Sequence, residues 1–364
     1  MAQVIRMGIM GAGWPGLKHA EAFRDTSGFT VTAVADLISG RRKAIGAMFP
    51  KARLVAQAED LLKDPQVDAV SVCLPNDQHL PLALAALKAG KHVLCEIPPT
   101  TDASGARKLS AAAAKVGKVL LFATQRRFGG AEQAVAQAVS KGYIGTPYHA
   151  RASWMRTRGI PAGTGWYTDK AKAGGGAMID LGFHMLDLAW TLLGQPHPLT
   201  AFAVMHDRFK SLAPAGSNFD VEDAAFVLMR FEGGKSLELS SSWAINQPPR
   251  HQGTSCRVHG DQGAAEVYLH GGPMLYRSFG PKGEAKESAL KLPKLVLYPA
   301  LMRHFRAAIN DGIAPNPSGA SAVTLMNMMD AIYRSAASGK SAEVKRESPA
   351  AVSAPEQIEE IAEV

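Results

Sequence analysis

Val4-Ile5-Arg6-Met7-Gly8-Ile9-Met10-Gly11-Ala12-Gly13-Trp14-Pro15-Gly16 is the stretch that sets the fold of this chain. A short apolar run ends in G-x-G-x-x-G, and a helix-forming segment follows through Lys18 to Phe23. Strand, glycine turn and helix in that order are the context in which this motif cradles a dinucleotide. The first glycine makes the tight turn, the second lets the backbone approach a pyrophosphate, and the third allows close packing of helix on strand. The helix start then offers unpaired N–H groups and the positive end of its dipole to the phosphates. Phe29 to Val34 reads as the next strand and ends at Asp36. A carboxylate there accepts hydrogen bonds from the adenosine ribose and repels a 2′-phosphate, which favours NAD. Arg41, Arg42 and Lys43 follow closely and leave NADP possible.

Outward from this turn the alternation continues. Val67 to Leu74 is a strand closed by Pro75-Asn76, Leu80 to Ala89 a helix stopped at Gly90, and His92 to Cys95 a strand. Ser104 to Val116 is an Ala-rich helix and Lys118 to Ala123 a further strand. Strands separated by helices imply βαβ units and a parallel sheet. After Thr124 the rhythm changes. A helix over Ala131 to Val139 precedes strand-like runs at Tyr148–Met155, Leu199–Met205, Ala224–Phe231, Ser236–Ala244 and Thr254–Val258. Consecutive strands of this kind imply a mostly antiparallel sheet in an α+β domain. Two amphipathic helices follow, near Leu301 to Ile309 and Ala320 to Ala337. The expected organisation is an α/β Rossmann domain over 1–124, an α+β substrate-binding and oligomerisation domain over 125–345, and a disordered tail over 346–364, where Ser, Pro, Ala and Glu dominate.

Composition narrows the function classes. With 364 residues the chain exceeds the usual single-domain size, and 46% apolar content is ample for sizeable cores. The net charge of +8 is a modest excess spread over short basic clusters, not the stripe or tail of a nucleic-acid binder. Three cysteines, Cys73, Cys95 and Cys256, form neither a disulfide framework nor a metal-spaced set, so no metal is expected. The N-terminus lacks a signal-peptide pattern, and no apolar stretch reaches membrane-spanning length. A soluble cytoplasmic protein is the expectation, with a small molecule as its partner.

The candidate reaction site lies in Gly174-Gly175-Gly176-Ala177-Met178-Ile179-Asp180-Leu181-Gly182-Phe183-His184, expected to start a helix that continues through Asp187 to Gly194. Asp180, His184 and Asp187 at i, i+4 and i+7 share one helix face. An acid and an imidazole on a mostly apolar helix are costly unless paired or placed in a cleft. They are either satisfied core groups or a histidine oriented by Asp180 that exchanges a proton near neutral pH. The coenzyme motif upstream favours the second reading for His184 and Asp180, and a structural role for Asp187. Pro75-Asn76-Asp77-Gln78-His79 ends a strand where an open parallel sheet binds its ligand, although His79 alone also suits a helix start.

Together, the glycine motif, Ala35-Asp36, Pro75-Asn76 with His79, Ala89-Gly90-Lys91-His92-Val93, Glu96 with Pro98, and Gly174 to His184 resemble the Gfo/Idh/MocA family of oxidoreductases over about residues 4–345. Arg158-Gly159-Ile160-Pro161, Thr168-Asp169-Lys170, Val221-Glu222-Asp223 and Ser242-Trp243-Ala244 are similar to one branch of it. The resemblance implies a Rossmann domain followed by an open-faced sheet domain with the substrate between them, and dimers or tetramers built through the sheet. It implies oxidation of a secondary hydroxyl of a pyranose, cyclitol or glycoside by hydride transfer, with His184 as general acid/base and Asp180 supporting it or binding a sugar hydroxyl. Coenzyme positions carried over are Gly11, Gly13, Trp14, Pro15, Asp36, Pro75, Asn76, His79, Glu96 at the nicotinamide ribose, Ile97, Pro98 and Gln125. The polar and aromatic mixture of Arg127, Trp154, Arg156, Trp166, Tyr167 and Lys170 is the expected substrate lining.

One position departs from the family. Ile97 stands where a Glu-Lys-Pro tripeptide would carry the lysine that hydrogen-bonds the reacting hydroxyl. Losing a positioned acid/base costs about 10²–10⁴-fold in rate. His184 then works alone, or Lys170, Lys172, Tyr167, Arg127 or Arg156 replaces the lysine, or the isoleucine suits a more apolar substrate such as an aryl glycoside. Two alternatives remain open at this point: a redox-neutral glycosidase or lyase with retained NAD, and a catalytically silent NAD-binding protein.

Overall fold

A computed structural model describes residues 3–161, 165–268, 272–279 and 283–347. The chain divides into two compact units, one running to Gln125 and including Val296–Met326, the other made of Arg126–Leu295 and Asn327–Glu347.

The first unit opens with β1 (Ile5–Met10), α1 (Trp14–Arg24), β2 (Phe29–Ala35), α2 (Ser39–Met48), β3 (Arg53–Val55) and β4 (Ala69–Val72). It continues with α3 (Asn76–Lys88), β5 (His92–Cys95), α4 (Ala103–Val116) and β6 (Leu120–Phe122). The six strands are parallel and ordered β3-β2-β1-β4-β5-β6. Strand order reverses between β1 and β4, and the ligand crevice of such sheets opens beyond the carboxyl ends at that switch. All four residues of β4 are buried, as a central parallel strand covered on both faces requires. The core around Met10, Val70, Val72, Leu87, Val93, Leu109 and Phe122 fixes the strands whose ends carry the site residues.

In the second unit the elements are α5 (Gly130–Ser140), β7 (Pro147–Met155), α6 (Lys170–Ala173), α7 (Phe183–Leu192), β8 (Pro198–His206), β9 (Ala224–Phe231) and β10 (Ser236–Ser242). After them come β11 (Gly253–Gly260), β12 (Gly263–Tyr268), β13 (Gly272–Phe279) and β14 (Glu284–Ala289). The chain then adds α8 (Leu297–Asn310) to the first unit, runs through α9 (Gly319–Ser338), and ends its described part beyond β15 (Ala342–Glu343). Nine strands form a sheet ordered β14-β13-β12-β11-β7-β10-β9-β8-β15, antiparallel throughout except for the β10–β7 pair. The α5 and α7 helices pack together on one of its faces. Ala150 and Ala152, Leu237 and Leu239, and Cys256 and Val258 point under them, while the alternate residues face away.

One expectation is refined. The helix expected from Gly174 starts three residues later: α6 ends at Gly174, Gly174–Gly176 bend, and the helical run from Ala177 continues through Leu192, with a π-helical turn over Met178–Gly182 leading into α7. The cause is a close approach. A Cβ on Gly175 would strike the Tyr333 hydroxyl, and one on Gly176 the Glu222 carbonyl, so the triplet admits neighbours that a regular helix of larger residues would exclude. The tail expected over 346–364 lies outside the described residues from 348 onward. No described helix is long and apolar enough to cross a membrane.

Candidate active site

In the first unit the site begins at the glycine turn. Gly11 has φ 92°, a conformation that disfavours side chains, and a Cβ there would also collide with the Cys73 carbonyl. Gly16 lies so close to the Gly11 carbonyl that no Cβ fits between them. Gly13 is different: a Cβ there would meet nothing nearer than 3.9 Å, so space lies open before α1. The helix has no side-chain cap, carries Pro15 in its first turn, and starts at Trp14, which is 64% exposed. Its free N-terminal N–H groups and the open space fit a pyrophosphate. Asp36 accepts from the Ala12 N–H at 2.8 Å and from the Ile38 N–H at 2.7 Å, so the carboxylate is held at the turn. Arg42 donates to the Asp36 carbonyl at 2.6 Å. These residues fit NAD.

The remaining positions expected to meet the coenzyme follow the ends of β4, β5 and β6. Pro75 precedes α3, and Asn76 is its first residue and buried. His79 is buried, with Nδ1 2.8 Å from the Pro98 carbonyl and Nε2 2.9 Å from the Leu74 carbonyl. Burial lowers its pKa, and a neutral ring donates to only one of the two. It braces the segment carrying Glu96 from within. Ile97 packs its side chain on the core of this unit, as Leu74 and Leu80 do. Gln125 reaches the Tyr298 hydroxyl at 3.5 Å.

The second unit gathers a titratable group around the π turn. Asp180 accepts a 2.7 Å hydrogen bond from the Trp243 indole. Burial raises its pKa; the Trp243 bond and the positive charge of Arg156 oppose that rise. His184 is half-buried, its ring centroid 5.5 Å from that of Trp154. The guanidinium carbons of Arg126 and Arg156 lie 4.9 and 5.4 Å from the Trp154 ring. Tyr167, stacked on Trp166 at 3.8 Å, joins Trp154 against an apolar cluster centred on buried Trp243. Asp187 instead makes a buried pair with Arg127, whose Nη2 is 2.7 Å from Oδ1.

The three side chains expected on one face each meet a different neighbour. Asp180 meets Trp243, His184 meets Trp154, and Asp187 meets Arg127. Of the residues considered as lysine substitutes, Lys172 pairs with Asp169 at 3.1 Å, Lys170 is exposed, and Arg127 is committed to Asp187. Tyr167 packs with Trp154 on the Trp243 cluster, and Arg156 is brought to both Asp180 and Trp154.

Sequence reasoning missed two groups. His19 is fully buried on α1, with Nε2 2.9 Å from Glu96. Glu222 accepts from the N–H groups of Gly176 and Met178 and from the Tyr333 hydroxyl, each at 2.9 Å. Each sits among charged neighbours, Lys18 and Glu21 for His19 and Asp220 and Asp223 for Glu222, so nothing local singles either out as buried.

Residues 5–124 match the description "Oxidoreductase family, NAD-binding Rossmann fold", and residues 133–266 match "GFO/IDH/MocA C-terminal domain". The chain is 33% identical over 250 residues to D-glucoside 3-dehydrogenase of Escherichia coli, covering 66% of this chain and 71% of that protein. It is 30% identical over 295 residues to 1,5-anhydro-D-fructose reductase of Ensifer adhaerens, covering 80% and 84%. Levoglucosan dehydrogenase in complex with NADH and L-sorbose shares the fold, with a TM-score of 0.85 at 20% identity over 95% of this chain and 100% of that one.

Proposed function

The chain belongs to the GFO/IDH/MocA family of NAD(P)-dependent oxidoreductases, and on that premise we propose that it transfers a hydride between nicotinamide and a secondary hydroxyl of a sugar, cyclitol, glycoside or similar cyclic compound, with His184 as general acid/base. The sugar names of the two relatives described above support the substrate class. NAD, when bound, supplies the hydride acceptor. The turn from Gly11 to Gly16 holds its pyrophosphate, Asp36 its adenosine ribose and Glu96 its nicotinamide ribose. Trp14, Pro15, Pro75, Asn76, Pro98 and Gln125 line the same crevice, and His79 and Ile97 brace it.

His184 takes the hydroxyl proton as the hydride leaves and returns it in the reverse direction. Its half-buried position against Trp154, a ring that Arg156 also approaches, with Asp180 anchored by Trp243, is the observation that carries this reading. Arg156 takes over part of the missing lysine's task. A guanidinium does not give up its proton at ordinary pH, so it stabilises a developing alkoxide electrostatically and leaves proton transfer to the imidazole. Trp166, Tyr167 and Lys170 border the substrate; Arg127 supports α7 through Asp187. We place assembly with further copies of the chain on the sheet face turned away from α5 and α7.

The test follows NADH absorbance across a panel of sugars, cyclitols and glycosides. His184→Ala is expected to lower kcat by about 10²–10⁴-fold with NADH affinity unchanged. Equal turnover by both proteins removes His184 from the mechanism. Product formed on a coenzyme that never exchanges, without net NADH, makes the reaction redox-neutral instead.

A further inference from the structure

His19 lies one turn into the helix that starts at the glycine motif and is entirely buried. Its Nε2 is 2.9 Å from Glu96 Oε1, an ion pair more than an aligned hydrogen bond. Its Nδ1 is 2.6 Å from Ser71 Oγ and 3.5 Å from Cys73 Sγ. The Tyr298 and Phe23 rings close its sides, with centroids at 5.7 and 6.3 Å. One imidazole therefore ties α1 to the end of β4 and to the carboxylate that follows β5. Hydroxyl, imidazole and carboxylate stand in the order of a nucleophile relay, but Ser71 is also fully buried and meets no substrate.

A buried charge persists only with a partner, and removing one member strands the other. Glu96 is 9% exposed, and its Oε2 accepts from the Ile97 N–H at 3.2 Å. We propose that His19 is a positioning residue for the coenzyme, fixing the Glu96 carboxylate from behind so that it presents an acceptor edge to a ribose diol. This rests on the reading that Glu96 meets the nicotinamide ribose. The charge state agrees: burial lowers the proton affinity of His19, but Cys73 and Glu96 outweigh it and hold the pKa at about 10. The imidazolium and carboxylate thus neutralise each other at physiological pH. A neutral ring would leave Glu96 as an uncompensated charge, free to rotate or protonate.

Calorimetric binding of NADH and of ADP separates this role from simple support of the fold. ADP lacks the nicotinamide half and reads only the glycine turn and Asp36. In His19→Asn and His19→Gln, NADH affinity is expected to fall about tenfold or more while ADP affinity moves less than about twofold, the size of a lost contact to a charged group. Glu96→Gln should weaken NADH comparably, and combining it with His19→Asn should add little. If Glu96→Gln weakens NADH and neither His19 variant does, the positioning role is wrong and the ribose contact stands. If Glu96→Gln leaves NADH unchanged, the ribose reading fails and the role of His19 falls with it. Equal loss of NADH and ADP, or failure of both His19 variants to fold, makes the pair structural and overturns the proposal.

Discussion

Half-buried Asp180 and fully buried His19 are two ionisable groups that their neighbours push in opposite senses. Asp180 sits among buried Met178, Ile179 and Leu181, and burial raises its pKa against the pull of Trp243 and Arg156. Where turnover needs the carboxylate ionised, activity rises as pH climbs through that pKa. Trp243→Phe deletes the 2.7 Å donor and should move the acid limb of the kcat/KM profile to higher pH; Arg156→Gln should move it the same way. An acid limb that stays put in both variants belongs to another group. For His19 the readout is stability. Its pKa of about 10 lies above the 6.5 of a free imidazole, so the folded chain binds this proton more tightly than the unfolded one. The stabilisation is full below about pH 6.5 and is lost as pH rises towards 10. The groups facing the ring are Glu96, Cys73, Ser71 and Tyr298. Urea midpoints of wild type should therefore fall more steeply between about pH 7 and pH 10 than those of His19→Gln, and parallel curves would show that the ring is neutral in the fold.

At the scale of elements, the π turn carrying Asp180 is held by an acid from another part of the chain. Glu222 Oε1 accepts from Gly176, Met178 and Tyr333, while its own carbonyl accepts from Ala177 at 3.0 Å. A carboxylate at a helix start also suits the dipole. Glu222→Ala leaves two buried N–H groups without an acceptor and should cost about 1–3 kcal/mol for each. Glu222→Gln keeps an oxygen in place and should cost less, and Tyr333→Phe about 1 kcal/mol. Thermal melts check the order, and equal loss in the Ala and Gln variants would mean that this oxygen is not the cap. The same element shows where local pattern stops being informative. The helix bearing His184 is legible from its apolar spacing, whereas α6, with Asp169 and Gly174 at its ends, is not. Nor is the break between them, because Glu222 and Tyr333, which force it, are distant in sequence. His19 escaped for a related reason: only the fold brings Glu96 to it.

For the whole molecule, the dinucleotide sheet is legible because glycine turns and β–α alternation are local signals. The antiparallel sheet is legible only in part, since the polar run Glu284–Ala289 has no apolar face to mark it as a strand. Nor does any local feature announce that Val296–Met326 returns to the first unit. What the sheet does with its outer face is a question of assembly. Phe202 and Val204 of β8 stand opposite Leu228 and Phe226 of β9, and all four are 37–50% exposed. Glu238 adjoins Leu228 on the next strand and pairs with Arg151 at 3.3 Å. An apolar patch bordered by an acid and a base suits a second copy turned about a two-fold axis, where patch meets patch and each charge meets its opposite. Burying the exposed part of each large side chain there contributes about 1 kcal/mol, roughly half of the full-burial value. Phe226→Glu and Leu228→Glu lie off the core, so each should keep the wild-type circular dichroism while light scattering falls to the mass of one chain. Variants that keep the wild-type mass would move the interface to another face, and a wild type that already scatters as one chain would leave the patch without a copy to cover it.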